Sequence, residues 1–429
     1  MGRVLLMLVP VLVLLVSPTG DAATIRVSAG RPGTTIQDAI DAAAPGDTVA
    51  IECGTYYEYG LVMKEGVTLR SETGDTSCVT IDAQLNDTVI YCTDLTDATV
   101  IEGIKFTGGS AADGGGMCCE NASPQVVRCA FVENDATGAG GGVCCCCSSQ
   151  PVFTECTFRD NMAYEGGGLA GRSASCEITV VECSFLNNDT YQGGGAVFSD
   201  TVAVLFNDCR FAYNDVTTFG GGLMTSGGIC DISGCTFELN TAGRGGALTV
   251  GGPAVCGVEH TLFYQNRGDF GGVLYGYSFS PTRAFTSLAN CTLVGNVATF
   301  DGNALALRQN FLCDVQRCIL TLGVGGTPVT CETPVQPYPN FSCTNVFGNY
   351  GGDWVGCLAG MYLMDENFSE DPLFCMEENP DLPYSLNENS PCLPEYSPCG
   401  QLVGAFEQGC GDETAIENVT WGMVKSMYR

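Results

Sequence analysis

Basic residues are scarce in this chain: Lys and Arg total 17 against 48 Asp and Glu, a net charge of −31. Phosphate backbones would be repelled, which excludes nucleic acid as a partner and favours solubility, cation binding or a saline exterior. Histidine is scarcer still, with His260 alone in 429 residues. A Ser/His/Asp triad would have to include it, and a two-histidine metal helix cannot be built. Nothing after residue 23 is apolar for long enough to cross a bilayer as a helix. The one apolar run, Val4 to Val16, follows Arg3 and precedes Gly20-Asp21-Ala22-Ala23. That layout is a secretory signal peptide and predicts a secreted or cell-surface protein.

What the chain has in abundance is glycine, 57 residues, and cysteine, 27 residues, both laid out in a repeat. The anchor Cys-x-Phe-x-x-Asn occurs as Cys129/Phe131/Asn134, Cys156/Phe158/Asn161, Cys183/Phe185/Asn188, Cys209/Phe211/Asn214 and Cys235/Phe237/Asn240. It drifts to Thr261/Phe263/Asn266 and returns as Cys291/Leu293/Asn296. Each Asn is followed by a glycine cluster, the clusters starting at Gly114, Gly140, Gly166, Gly193, Gly220, Gly245 and Gly271. A period of 26 or 27 residues means a solenoid. Alternation inside a unit is that of strands: Val152, Thr154, Cys156 and Phe158 share one face, Phe153, Glu155, Thr157 and Arg159 the other. The expected fold is all-β, a right-handed parallel β-helix of about three short strands per coil. Cys and Phe stack inside, and Asn turns inward to bond the neighbouring coil or its own column.

The pairing of Gly194-Gly195-Ala196-Val197 with Phe211-Ala212-Tyr213-Asn214 resembles the repeats of the chlamydial polymorphic outer-membrane proteins. More broadly, residues 100 to 320 look like the pectin-lyase-like β-helix superfamily. That resemblance implies the fold; its members include lyases, hydrolases, adhesins and structural spikes, so it leaves function open. The string TIQDAIDAAAPGDTVAIECGTYYE is similar to the N-terminal cap of such proteins. Capping-box spacing at Thr34-Thr35-Ile36-Gln37, with Ile36, Ala39, Ile40 and Ala43 on one face, predicts a short helix over the open first coil.

The boundaries follow: signal peptide 1–23, cap and first coils 24–85, repeats 86–330, last coils with a Cys-rich cap 331–411, and a tail 412–429. Trp421, Val424 and Tyr428 fall at helical spacing in that tail, which resembles the junction before a sorting module. Parallel stacking holds neighbouring Cβ atoms near about 4.8 Å, wide for a disulfide. Cys129, Cys156, Cys183, Cys209, Cys235, Cys291 and Cys318 are therefore expected as packed free thiols. Cys53, Cys78, Cys357, Cys375, Cys392, Cys399 and Cys410, near the ends, are the disulfide candidates. An odd total leaves at least one cysteine free or bonded between chains.

Three features could carry chemistry. The residues just before the Cys column, Arg128, Glu155, Glu182, Asp208, Gly234 and His260, place three carboxylates in a row. The row reads first as a solvated charged stripe; otherwise like charges so stacked are offset by Arg128, Arg159 and Arg210 between them or by a Ca²⁺ ion on Glu155, Glu182 and Asp208. An enzyme would use the same set with Arg159, as a Ca²⁺-dependent lyase or a glycoside hydrolase of acidic polysaccharide. An aromatic stripe, Tyr164, Tyr191, Phe219, Phe270 and Phe300, either packs under the glycine corner or points out to bind sugar rings or a protein. The 30-residue insertion from Thr261 to Cys291 adds Tyr275, Tyr277 and Phe279. Lastly, Cys144-Cys145-Cys146-Cys147 faces Cys118-Cys119 one coil away, as disulfides, inert thiols or a Zn²⁺ site. The leading expectation is a non-enzymatic, adhesin-like or structural surface protein that binds polysaccharide or another surface protein and needs no cofactor. It allows association with an outer membrane.

Overall fold

The computed structural model describes residues 22–28, 35–332, 339–380 and 382–411. Residues 1–21 of the expected signal peptide and the 412–429 tail lie outside these residues. Thr35 caps the helix Ile36–Ala42: its hydroxyl accepts from the Asp38 N–H at 3.0 Å, and the Asp38 carboxylate accepts from the Thr35 N–H at 3.1 Å. Ile36, Ala39 and Ile40 are buried against the first coil. No helix of the described residues is long and apolar enough to cross a membrane.

Beyond the helix the chain is a right-handed parallel β-helix. Four sheets run along it. In chain order within a coil, sheet 1 has 13 strands, from Thr24–Val27 to Asn340–Ser342, and sheet 2 has 12, from Gly54–Tyr56 to Asn345–Phe347. Sheet 3 has 8, from Ser110–Ala111 to Val297–Asp301, and sheet 4 has 11, from Leu61–Val62 to Val329–Cys331. A central coil thus reads Val152–Thr154, Thr157–Arg159, Met162–Glu165 and Leu169–Arg172, four strands where about three were expected. The extra strand arises because the Asn turn and the glycine cluster are separate bends, and the residues between them form their own ladder.

Single residues in the left-handed conformation make the corners. In that coil they are Glu155, Asp160, Gly166 and Ser173, with φ of 53°, 56°, 65° and 104°. Such a residue resets the alternation of faces, and here the sequence reading needs correction. Phe153, Cys156 and Phe158 are all buried, while Val152 and Thr154 face outward. The period-2 pattern does not carry through Glu155. Glycine is required at Gly142, where an added Cβ would lie 2.5 Å from the Gly168 carbonyl of the next coil.

The interior is a set of ladders. Phe106, Phe131, Phe158, Phe185, Phe211, Phe237 and Phe263 stack with ring centroids 4.3 to 5.3 Å apart. Beside them Asn134, Asn161, Asn188, Asn214, Asn240, Asn266 and Asn296 are fully buried and satisfied. The Asn161 amide donates to the Phe131 carbonyl at 2.9 Å and to Asn188 Oδ1 at 3.0 Å, and the same oxygen accepts from the Asn161 N–H at 3.2 Å. The cysteine column is packed as free thiols, with the Cys156 N–H donating to Cys183 Sγ at 3.2 Å. Burial and the adjacent thiols push Cys183 and Cys209 well above the ordinary thiol range.

Covalent links lie at the ends: Cys53–Cys78, Cys331–Cys357, Cys343–Cys399 and Cys375–Cys410. Cys392 differs from expectation. It is buried and free, and the Asn345 amide donates to its sulfur at 3.3 Å. Past Phe368, which bridges Asn345 in parallel, the chain stops coiling and returns over the outer face of sheet 2. Phe368, Leu386, Leu393 and Val403 form a second small core there with Ile319 and Cys343. The Gly404 N–H donates to the Arg317 carbonyl at 2.8 Å and pins the return.

Candidate ligand-binding surface

The carboxylate row stands on a corner. Glu155, Glu182 and Asp208 are exposed with φ of 53°, and His260 occupies the same corner later, also exposed. None of the arginines expected between them is there. Arg128 pairs with Glu102, Arg159 with Asp160 at 2.7 Å, and Arg210 with the buried Glu238. All three are open to solvent, which screens their like charges. Glu155, Glu182 and Asp208 do not form a shared ligand set. The trio of donor side chains within ligand distance among the described residues is Cys53, Cys78 and Glu72, and its sulfurs are already bonded to each other. Partial burial alone raises the Asp208 carboxyl.

A shallow cleft of about 250 Å³ opens on the outer face of sheet 1, lined by Asp231, Ile232, Ser233, Gly257 and Glu259. Gly257 forms part of its floor, since a Cβ there would lie 3.0 Å from Asp231 Oδ1. Its acids were missed because they alternate with small residues only across coils, through the pairing of Asp231 with Gly257 and Ser233 with Glu259.

The aromatic stripe splits in two. Tyr164 and Tyr191 are exposed on sheet 3, Tyr191 at 67%, with no ring partner among the described residues. Phe219, Phe270 and Phe300 join a cluster that the stripe alone did not reveal. Parallel register puts Phe219, Arg244 and Phe270 side by side at the ends of their strands in sheet 3. The insertion then lays Tyr275, Tyr277 and Phe279 alongside. Phe219 meets Tyr275 and Tyr277 at 6.1 and 5.7 Å, Tyr277 meets Phe279 at 5.2 Å, and Phe270 meets Phe300 at 5.2 Å. Gly251 makes room for this arrangement, because an added Cβ would lie 2.8 Å from the Tyr277 ring.

Two arginines complete the surface. The Arg244 guanidinium lies 5.1 Å from the Phe219 ring and 5.8 Å from Tyr275, and that of Arg308 lies 4.9 Å from Phe270 and 5.9 Å from Tyr275. Neither has an ion-pair partner among the described residues. The acid in register with Phe270 is Asp301, and its oxygens are taken by Thr330 Oγ1 at 2.7 Å, Thr327 Oγ1 at 3.0 Å and the Gly302 N–H at 2.9 Å. Burial works to raise the Asp301 carboxyl, but these hydrogen bonds outweigh it and hold it low. Burial beside Tyr275 raises the Tyr277 phenol. Phe279 and Phe300 remain 82% and 63% exposed. The result is an open platform of rings with two cations set into it, able to stack sugar faces and to hold anionic groups bidentately.

No protein-family model and no curated protein matches this chain. Among solved structures it is similar to a pectate lyase, at 14% identity over 90% of this chain and 96% of that one, with a TM-score of 0.46. It is also similar to a mannuronic-acid-specific family 6 polysaccharide lyase from the human gut microbiota, at 12% identity over 83% and 93%, with a TM-score of 0.42. Neither likeness assigns a substrate or a reaction to this chain.

Proposed function

We propose that the protein is a secreted or cell-surface, non-enzymatic β-helix that binds an anionic glycan on the ring and arginine platform. One observation carries this reading: in a chain of net charge −31, Arg244 and Arg308 lie over aromatic rings with no carboxylate partner among the described residues. Cations that a structure does not neutralise internally are available to a ligand, and rings beside them suit a sugar face. The apolar run Val4 to Val16 after Arg3 supports the location.

The test is calorimetric binding of polygalacturonate, alginate and a neutral glucan to the mature chain. Acidic polymers should bind, with an affinity that falls as salt rises. Arg244→Ala/Arg308→Ala should weaken binding at least tenfold without changing the far-ultraviolet spectrum. Equal binding of the neutral glucan, or of the acidic polymers by that variant, would sink the proposal. The cleft at Asp231 and Glu259 favours a second reading as a hydrolase or Ca²⁺-dependent lyase. Polymer cleavage abolished by Asp231→Asn or Glu259→Gln would establish it in place of the first.

A further inference from the structure

The four-cysteine run makes a second surface that glycan binding does not use. In sheet 4 the strands Met117–Glu120 and Val143–Cys146 pair with Cys118 beside Cys144 and Glu120 beside Cys146. Alternation turns Cys119 and Cys145 into the core, in one column with Cys92. Cys118, Glu120, Cys144 and Cys146 therefore face out, Cys144 being covered by Ala139 and Ala170. Cys147 follows at the corner with φ of 64°, which resets the faces as Glu155 does. Two consecutive cysteines thus both point outward. Their sulfurs lie 3.5 Å apart, and Cys147 Sγ is 3.9 Å from Glu120 Oε1. Neither is in a disulfide, and Cys147 is exposed.

Sulfurs bound to one tetrahedral ion by bonds of about 2.3 Å stand about 3.8 Å apart, near the spacing found here. Cys118 stands on the same outward face, beside Cys144 and two residues before Glu120. A soft cation binds such thiols as thiolates and releases their protons.

We propose that Cys146, Cys147, Glu120 and Cys118 form a binding site for a soft divalent cation of the Zn²⁺ or Cd²⁺ class. Cys146 and Cys147 form the preset pair, and Glu120 and Cys118 close on the ion by side-chain rotation. The test titrates the reduced mature chain with Cd²⁺ alone, following thiolate-to-metal charge transfer in the ultraviolet, and then displaces it with Zn²⁺. One equivalent should bind and release protons. Cys146→Ser/Cys147→Ser should abolish the signal, whereas Cys235→Ser, in the buried column, should leave it unchanged. Glu120→Gln keeps every thiol and should weaken Cd²⁺ several-fold, an independent readout if the double variant misfolds. The site is refuted by absorbance that survives the double variant, by unchanged Cd²⁺ affinity in Glu120→Gln, or by recovery of a Cys146–Cys147 disulfide that takes up no metal after reduction.

Discussion

The coils between Phe106 and Asn296 and the return segment from Glu370 to Cys410 solve the same problem differently. In the coils the buried phenylalanines and asparagines of the repeat anchor meet their own kind one coil away, and the thiols stay free. The return segment has no such ladder of like residues among the described residues. Its core is small, and the disulfides Cys343–Cys399 and Cys375–Cys410 hold it in place. Register supplies in one region what covalent closure supplies in the other.

The contrast can be broken from either side. Phe211→Ala removes a ring stacked on both neighbours and should cost about 3 to 5 kcal/mol, measured by denaturant unfolding. Asn214→Ala strands the partners of its amide and carbonyl and should cost on the order of 3 kcal/mol. Cys375→Ser/Cys410→Ser should cost about 2 to 4 kcal/mol, but only locally. Hydrogen exchange should then rise in 374–411 and remain slow in the coils, and uniform loss of protection would erase the distinction. Thiol labelling of the unfolded, unreduced chain should modify Cys129 to Cys318 of the column and spare the eight bonded cysteines. The smallest effect belongs to Asp301. Its folded-state carboxyl is held low, so its stabilisation is complete above the unfolded value of about 3.9 and disappears as pH falls through the folded one. Asp301→Asn should flatten the acid limb of the stability curve below about pH 4.

Much of the coil was legible because residue type repeats with position. Phe158 and Asn161 announce an inward ring and an inward turn, and Cys375 and Cys410 stand where the period has decayed. The corners were not legible. Left-handed geometry at Glu155 or Asp160 carries no residue signature like that of Gly166, so the face reversal there was invisible and Val152 was placed inside. The platform was half visible: Phe219, Phe270 and Phe300 share a phase, but Arg244 and Arg308 reach them only through register and the path of the insertion. Of the arginines expected beside the carboxylate row, Arg128 and Arg210 pair with Glu102 and Glu238, partners set by register one coil away.

The asparagine ladder also sets how such a chain can change in length. Each amide needs an identical neighbour one step along the axis, so the tolerated unit of insertion or loss is a whole coil. Duplicating one lengthens the body by about 4.8 Å and leaves its cross-section unaltered. The thiol patch and the ring platform could thereby be moved apart or together in fixed steps, as marks on a ruler, without redesigning either.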